Sequence, residues 1–142
     1  MMYYFAKIER QKDGRFLAEF PELPGCFTEG NSLEQTKSNA FEALNGWLTA
    51  NCDRDLNIPK AREKKGKNYF PIEVEISVEF VIRLRTLRKN RRMSQSDVAK
   101  KLGISQQAYA KLESPAKANP SLSTVKKLSE ALNAEIDIRL VA

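Results

Sequence analysis

The 142-residue chain reads as an α+β protein made of two small units, a sheet-and-helix half followed by an all-helical half that ends in a short strand. Three observations carry that expectation. Apolar and polar residues alternate from Tyr4 to Phe20 and again from Phe70 to Val78. Apolar residues recur at helical spacing from Leu33 to Leu48 and from Val98 to Leu132. Charge is unevenly shared: residues 1–70 hold 11 Lys and Arg against 10 Asp and Glu, and residues 71–142 hold 13 against 8, so nearly all of the net +6 lies in the second half. The expected boundary falls between residues 1–78 and residues 79–142, each half marginal alone and gaining from association.

The first half is expected to open with a strand through Tyr4, Ala6 and Ile8, a hairpin turn at Asp13-Gly14, and a returning strand through Phe16, Ala18 and Phe20. Pro21 and Pro24 deny ladder donors, so the chain leaves the hairpin there and residues 25–29 can form a short third strand closed by Gly30. Asn31 or Ser32 then caps a helix whose inner face is Leu33, Thr36, Ala40, Ala43, Leu44, Trp47 and Leu48, ending at Asn51. Residues 52–69 lack apolar periodicity and are rich in charge, which predicts a loop. The alternation of Phe70, Ile72, Val74, Ile76 and Val78 predicts one more strand, running almost directly into the second half.

In the second half, Ser94 is a good N-cap, Asp97 sits in the first turn where a carboxylate favours the helix dipole, and Val98, Ala99 and Leu102 follow at helical spacing. Gly103 supplies a positive backbone angle to stop that helix, Ile104 tucks under the turn, and Ser105 caps a second helix. On that second helix Tyr109 and Leu112 face inward, while Gln106, Gln107 and Lys111 face out. A further helix is expected from Leu122 to Leu132 with Val125 and Leu128 inside. Upstream, Arg83, Arg85, Arg88, Lys89, Arg91 and Arg92 occur with no carboxylate between Glu79 and Asp97. An ordinary helical hairpin with a solvated cationic face would share this pattern. Amide and ammonium tips on a protruding short helix, flanked by cations, are also what reading base edges and holding sugar-phosphate backbone require, so double-stranded DNA is the expected partner. Finally, Ile136, Ile138 and Leu140 alternate with Asp137 and Arg139, a strand signal over residues 135–141 whose pairing partner is either a second subunit or the first-half sheet.

Composition excludes several classes of chemistry. The chain has no histidine, which removes Ser-His, Cys-His and histidine general-base mechanisms. Cys26 and Cys52 are too few for a disulfide framework or a zinc site and read as small, partly buried thiols of a reducing compartment. No metal or other cofactor is expected. No apolar run approaches the roughly 20 residues that span a bilayer, and the N-terminus lacks a secretory pattern, so the expected location is the cytoplasm with no membrane partner.

Two resemblances extend these readings. Gln95, Ala99, residues 102–107 (Leu-Gly-Ile-Ser-Gln-Gln), Leu112-Glu113 and Asn119-Pro120-Ser121-Leu122 resemble the helix-turn-helix of the Xre family, the lambdoid phage repressor type, over about residues 79–136. That resemblance implies base-reading roles for Gln106, Gln107 and Lys111 and a phosphate contact at Gln95; with the flanking Ser105, Arg91 and Arg92, these are the expected DNA-contacting residues. Asp13-Gly14 before Phe16, residues 20–26 (Phe-Pro-Glu-Leu-Pro-Gly-Cys), Thr28-Glu29-Gly30, Leu33-Glu34, Ala43-Leu44 and Trp47-Leu48 resemble the HicB antitoxin family, whose N-terminal domain looks like a reduced ribonuclease H fold. The family implies that the first half binds and inhibits a HicA-type toxin that cleaves messenger RNA, while the second half represses the protein's own operon. The motif itself looks structural, so it does not identify toxin-binding residues. A ribonuclease H active site would need carboxylates converging on divalent metal, one of them in mid-strand of the first strand, where this chain has Lys7; no enzymatic activity is expected. The other reading is a solitary helix-turn-helix regulator with an N-terminal ligand-sensing or dimerisation domain. Either way, a homodimer or higher even oligomer is expected, because such DNA-binding units engage paired half-sites.

Overall fold

A computed structural model describes residues 1–142, which form two compact units, Met1–Glu79 and Phe80–Ala142. In the first, strand β1 (Tyr3–Arg10) turns back into β2 (Phe16–Glu19) through Asp13-Gly14. The turn works because Gly14 takes a left-handed φ of 89° and the Asp13 carboxylate accepts from the Arg15 amide at 2.9 Å. Strand β3 (Phe27–Gly30), helix α1 (Leu33–Asp53) and strand β4 (Tyr69–Glu73) complete an antiparallel sheet in the order β3-β2-β1-β4. This is the α+β arrangement expected: three strands, one helix, one more strand.

The alternation in β1 and β2 sorts the side chains. Tyr4, Ala6, Ile8 and Ala18 are buried on the side covered by α1, where they meet Ala40, Leu44 and Leu48. Ser32 rather than Asn31 caps α1, its hydroxyl accepting from the Gln35 amide at 3.1 Å. Gly30 is required by close approach: a Cβ there would lie 2.5 Å from Thr36 Oγ1 and 2.9 Å from the Thr36 amide nitrogen. The charged connection is shorter than expected, residues 54–68, and is tied down by the Tyr4 hydroxyl donating to Pro59 O at 2.6 Å and the Ile8 amide donating to Asn68 O at 2.8 Å. Burial pushes the Tyr4 phenol up to about 12 and the Cys26 thiol up to about 11; both cysteines are free and buried.

Two expectations are corrected. The alternation from Phe70 to Val78 does not continue as a strand. β4 stops at Glu73 because the buried Asn45 amide takes over the backbone, donating to Glu73 O at 3.2 Å and accepting from the Glu75 amide at 2.8 Å. Helix α2 (Ile76–Asn90) starts there, leaving Ile76 exposed and burying Val78, Val81 and Ile82 at helical spacing. The second correction is at the other end: residues 135–141, expected as a strand, form none in the single chain. An extended segment without a ladder partner has only solvent to satisfy its backbone, and Ile138, Leu140 and Val141 lie exposed.

The second unit is helical: the later part of α2, then α3 (Gln95–Leu102), α4 (Gln106–Leu112) and α5 (Leu122–Ala131). Its core is Leu84, Val98, Ala99, Tyr109, Leu128 and Leu132, with Leu87, Met93, Leu102 and Leu112 packed around it. No helix of the chain is long and apolar enough to cross a membrane.

Candidate nucleic-acid interface

The helix pair α3–α4 is set by local chemistry. Ser94 and Asp97 form a reciprocal capping box, the Ser94 hydroxyl accepting from the Asp97 amide at 3.0 Å and the Asp97 carboxylate from the Ser94 amide at 2.8 Å. Those hydrogen bonds from Ser94 hold the Asp97 carboxyl below its ordinary value. Gly103 ends α3 at φ 69°, ψ 31°, a left-handed geometry that costs glycine nothing. Two residues later Ser105 starts α4, its Oγ accepting from the Ala108 amide at 3.1 Å. The turn is therefore too short for the helices to separate. Ile104 is 38% exposed instead of tucked beneath it.

α4 is anchored from within. Tyr109 is completely buried, and burial first, then the Glu113 carboxylate beside it, pushes its phenol up from the ordinary value. Glu113, the C-cap of α4, is itself buried and receives a two-pronged bond from Arg88 of α2: Nε to Oε2 at 2.6 Å and Nη2 to Oε1 at 2.9 Å. Arg88 Nη1 also donates to Met93 O at 3.0 Å, and Gln95 Nε2 donates to Glu113 Oε1 at 3.2 Å. One carboxylate thus joins α2, α3 and α4. With the inner side held, Gln106, Gln107 and Lys111 all stand on the exposed side of α4, where they were expected.

The other sequence-selected residues divide. Ser105 and Arg92 are exposed, the Ser105 hydroxyl oxygen accepting from the Ala108 amide. Arg92 occupies a left-handed φ of 55°, unusual for a side chain of its size. Gln95 is half-buried, with one amide hydrogen committed to Glu113. Arg91 is exposed and also has an internal occupation: its guanidinium donates to Leu132 O at 3.0 Å and Asn133 O at 3.2 Å, and with Lys101 Nζ on Ala131 O at 3.5 Å it closes the carbonyl end of α5. The upstream cation row is not one solvent-facing strip either, because Arg85 and Arg88 are buried. The pairing role of Glu113 was missed by sequence reasoning, although it is the sole acid between Asp97 and Glu130, and a lone carboxylate in so cationic a stretch is a signal of internal pairing.

In the first unit the sheet face away from α1 is open. Register places Tyr3, Phe5, Lys7 and Glu9 of β1 on it, beside Leu17 and Glu19, Phe27 and Glu29, and Tyr69, Pro71 and Glu73. Phe27 is 65% exposed and Tyr3 38%, an apolar surface bordered by four glutamates, of which Glu29 is paired with Arg15 at 3.1 Å. Lys7 sits at mid-strand with its Nζ 3.4 Å from Glu9 Oε1.

Comparison with known proteins bears on both units. Residues 4–98 match the family model described as HicB-like antitoxin of bacterial toxin-antitoxin system, and residues 84–138 match the helix-turn-helix model. A UPF0150 protein of Thermoplasma acidophilum is 30% identical over 59 residues, covering 42% of this chain and 86% of the relative. A UPF0150 protein of Archaeoglobus fulgidus is 34% identical over 47 residues, 33% of this chain and 68% of its own. A 14.9 kDa protein in the rep-hol intergenic region of Haemophilus phage HP1 is 33% identical over 60 residues, with 42% of this chain matched to 44% of the phage protein.

Proposed function

The chain belongs to the HicB-like antitoxin family of bacterial toxin-antitoxin systems and carries a helix-turn-helix unit, and from that premise we propose that it neutralises a HicA-type, messenger-RNA-cleaving toxin and represses its own operon. The observation that carries the DNA half of this reading is the exposed trio Gln106, Gln107 and Lys111 on a helix pinned from behind by Tyr109 and Glu113. Amides pair with adenine edges and ammonium groups with guanine edges in the major groove, and the unit's cationic excess supplies attraction to phosphate. Residues 80–142 hold thirteen Lys and Arg against five Asp and Glu.

The toxin half is supported by the open sheet face of the first unit. A surface that grips RNA phosphate carries cations, and an aromatic surface bordered by Glu9, Glu19, Glu29 and Glu73 is a suitable complement to one. We read the protein as a binder and not an enzyme, and its work as cytoplasmic, where operon and messenger RNA are found. The decisive experiment has two arms. Co-expression of this chain should rescue cells that express a HicA-type toxin encoded beside its gene, and footprinting should protect a stretch upstream of the locus; failure of rescue by the intact chain, or the absence of any protected stretch, overturns the corresponding half. Purified protein with RNA and magnesium or manganese should leave the RNA intact; cleavage lost on Glu9→Gln or Glu19→Gln would make it a nuclease.

A further inference from the structure

We infer that the loop at residues 60–67 of the first unit is a second DNA-contacting surface, in which Lys60, Arg62, Lys65 and Lys67 engage the sugar-phosphate backbone of the duplex held by the helix-turn-helix. The inference rests on the DNA reading above and extends it to the half of the chain that carries no helix-turn-helix.

Charge is sharply segregated within that unit. Residues 60–67 hold five Lys and Arg against the single Glu63, whereas the rest of Met1–Glu79 holds six Lys and Arg against twelve Asp and Glu. Despite so many carboxylates in the unit, only Lys64 of the five is ion-paired, its Nζ 3.6 Å from Glu22 Oε1. Lys60, Arg62, Lys65 and Lys67 all stand exposed. An ordinary solvated charge run is free to move, but this one is fastened. The Tyr4 hydroxyl holds Pro59 O at 2.6 Å just before it, Lys64 is held at its middle, and the Ile8 amide holds Asn68 O at 2.8 Å just after it. Fixing like charges side by side costs repulsion that a polyanion relieves, and the ordering entropy of the contact is already spent.

The composition of the loop selects the polyanion. Residues 60–67 contain no aromatic side chain on which unpaired bases could stack, which disfavours single-stranded RNA. Ala61 is their only apolar side chain, too little to enter a lipid surface. A cationic toxin surface would be repelled. Duplex backbone needs only cations at intervals, and the run has neither helix nor strand to shorten it. At no more than about 3.6 Å per residue it reaches up to about 25 Å, against one phosphate per roughly 3.4 Å of strand, so each of the four cations can find its own phosphate. Because the chain is continuous from Glu79 to Phe80, the loop is covalently tethered to whatever duplex α4 holds, and its contact is made at the effective concentration of a linked group.

The test is the salt dependence of binding by the full chain to two duplexes of about 40 base pairs, the operator with its flanks and a random sequence, read by fluorescence anisotropy with circular dichroism to verify unchanged folding. Lys60→Gln, Arg62→Gln, Lys65→Gln and Lys67→Gln combined in one chain should flatten the slope of log affinity against log salt by about three to four and lower affinity about tenfold or more, equally on both duplexes. Glu63→Lys should steepen the slope by about one. Arg10→Gln with Lys12→Gln, exposed cations of the same unit outside the loop, should leave the slope unchanged, which separates a local contact from mere loss of net charge. An unchanged slope in the loop variant, an equal fall per charge in the Arg10 and Lys12 control, or a loss seen only with single-stranded RNA overturns the inference and leaves the DNA reading in place. An intact chain that binds neither duplex overturns that reading as well.

Discussion

At Glu113 a single carboxylate is shared by Arg88, through two hydrogen bonds, and by Gln95, all within a nearly dry interior. Removing it leaves a buried guanidinium with its strongest partner gone. Glu113→Ala is therefore expected to cost about 3–5 kcal/mol in denaturant unfolding, a large share of what a small domain has. Gln107 and Lys111 belong to the opposite case, since neither is used in packing. Alanine at either position should leave unfolding unchanged while costing about 1–3 kcal/mol in operator affinity and relaxing preference at one base pair, read by gel shift against altered operators. Equal loss on operator and random duplex would make them positioning groups.

Helix ends and strand closures decide the next scale. Gly30 lets β3 lie against the first turn of α1, so Gly30→Ala should destabilise the first unit by about 1–3 kcal/mol in thermal unfolding as Thr36 is forced away. Arg91→Ala should remove the clamp on the carbonyl end of α5 and cost about 1 kcal/mol of stability, with little change in the salt dependence of DNA binding well below the melting temperature; a slope reduced by about one would restore it as a phosphate contact. The elements that could be read from sequence are those whose signals are local. Ser94, Asp97, Gly103 and Ser105 specify α3, the turn and α4 from their own neighbourhood, and the outward placement of Gln106, Gln107 and Lys111 follows from them. The boundary of β4 and α2 was not legible because residues 70–78 fit a period of two, while the arbiter, Asn45, is 28 residues away from Glu73. The burial of Arg88 and the internal bonds of Arg91 were not legible for the same reason: a free cation and one bound to a carboxylate 25 residues on, or to carbonyls 41 and 42 residues on, look alike in sequence.

Over the whole molecule the two compact units carry different surfaces, an acidic and aromatic sheet face in one and exposed amide and ammonium groups in the other. Their proposed activities should be separable by mutation. Phe27→Asp, on a side chain that contributes little to the core, should abolish toxin neutralisation in a growth-rescue assay and leave operator footprints intact, and the Gln107 variant should show the reverse. Loss of both functions from either change would argue against this division of labour.

Helix α4, which we propose reads base edges, is only seven residues long. At 1.5 Å per residue it spans about 10 Å, the length of roughly three base-pair steps. A word that short recurs by chance many times in any kilobase, so one unit alone carries too little information to single out a promoter. The address must come from repetition at fixed spacing, and its selectivity will be set by how rigidly successive readers are held in phase with the double helix.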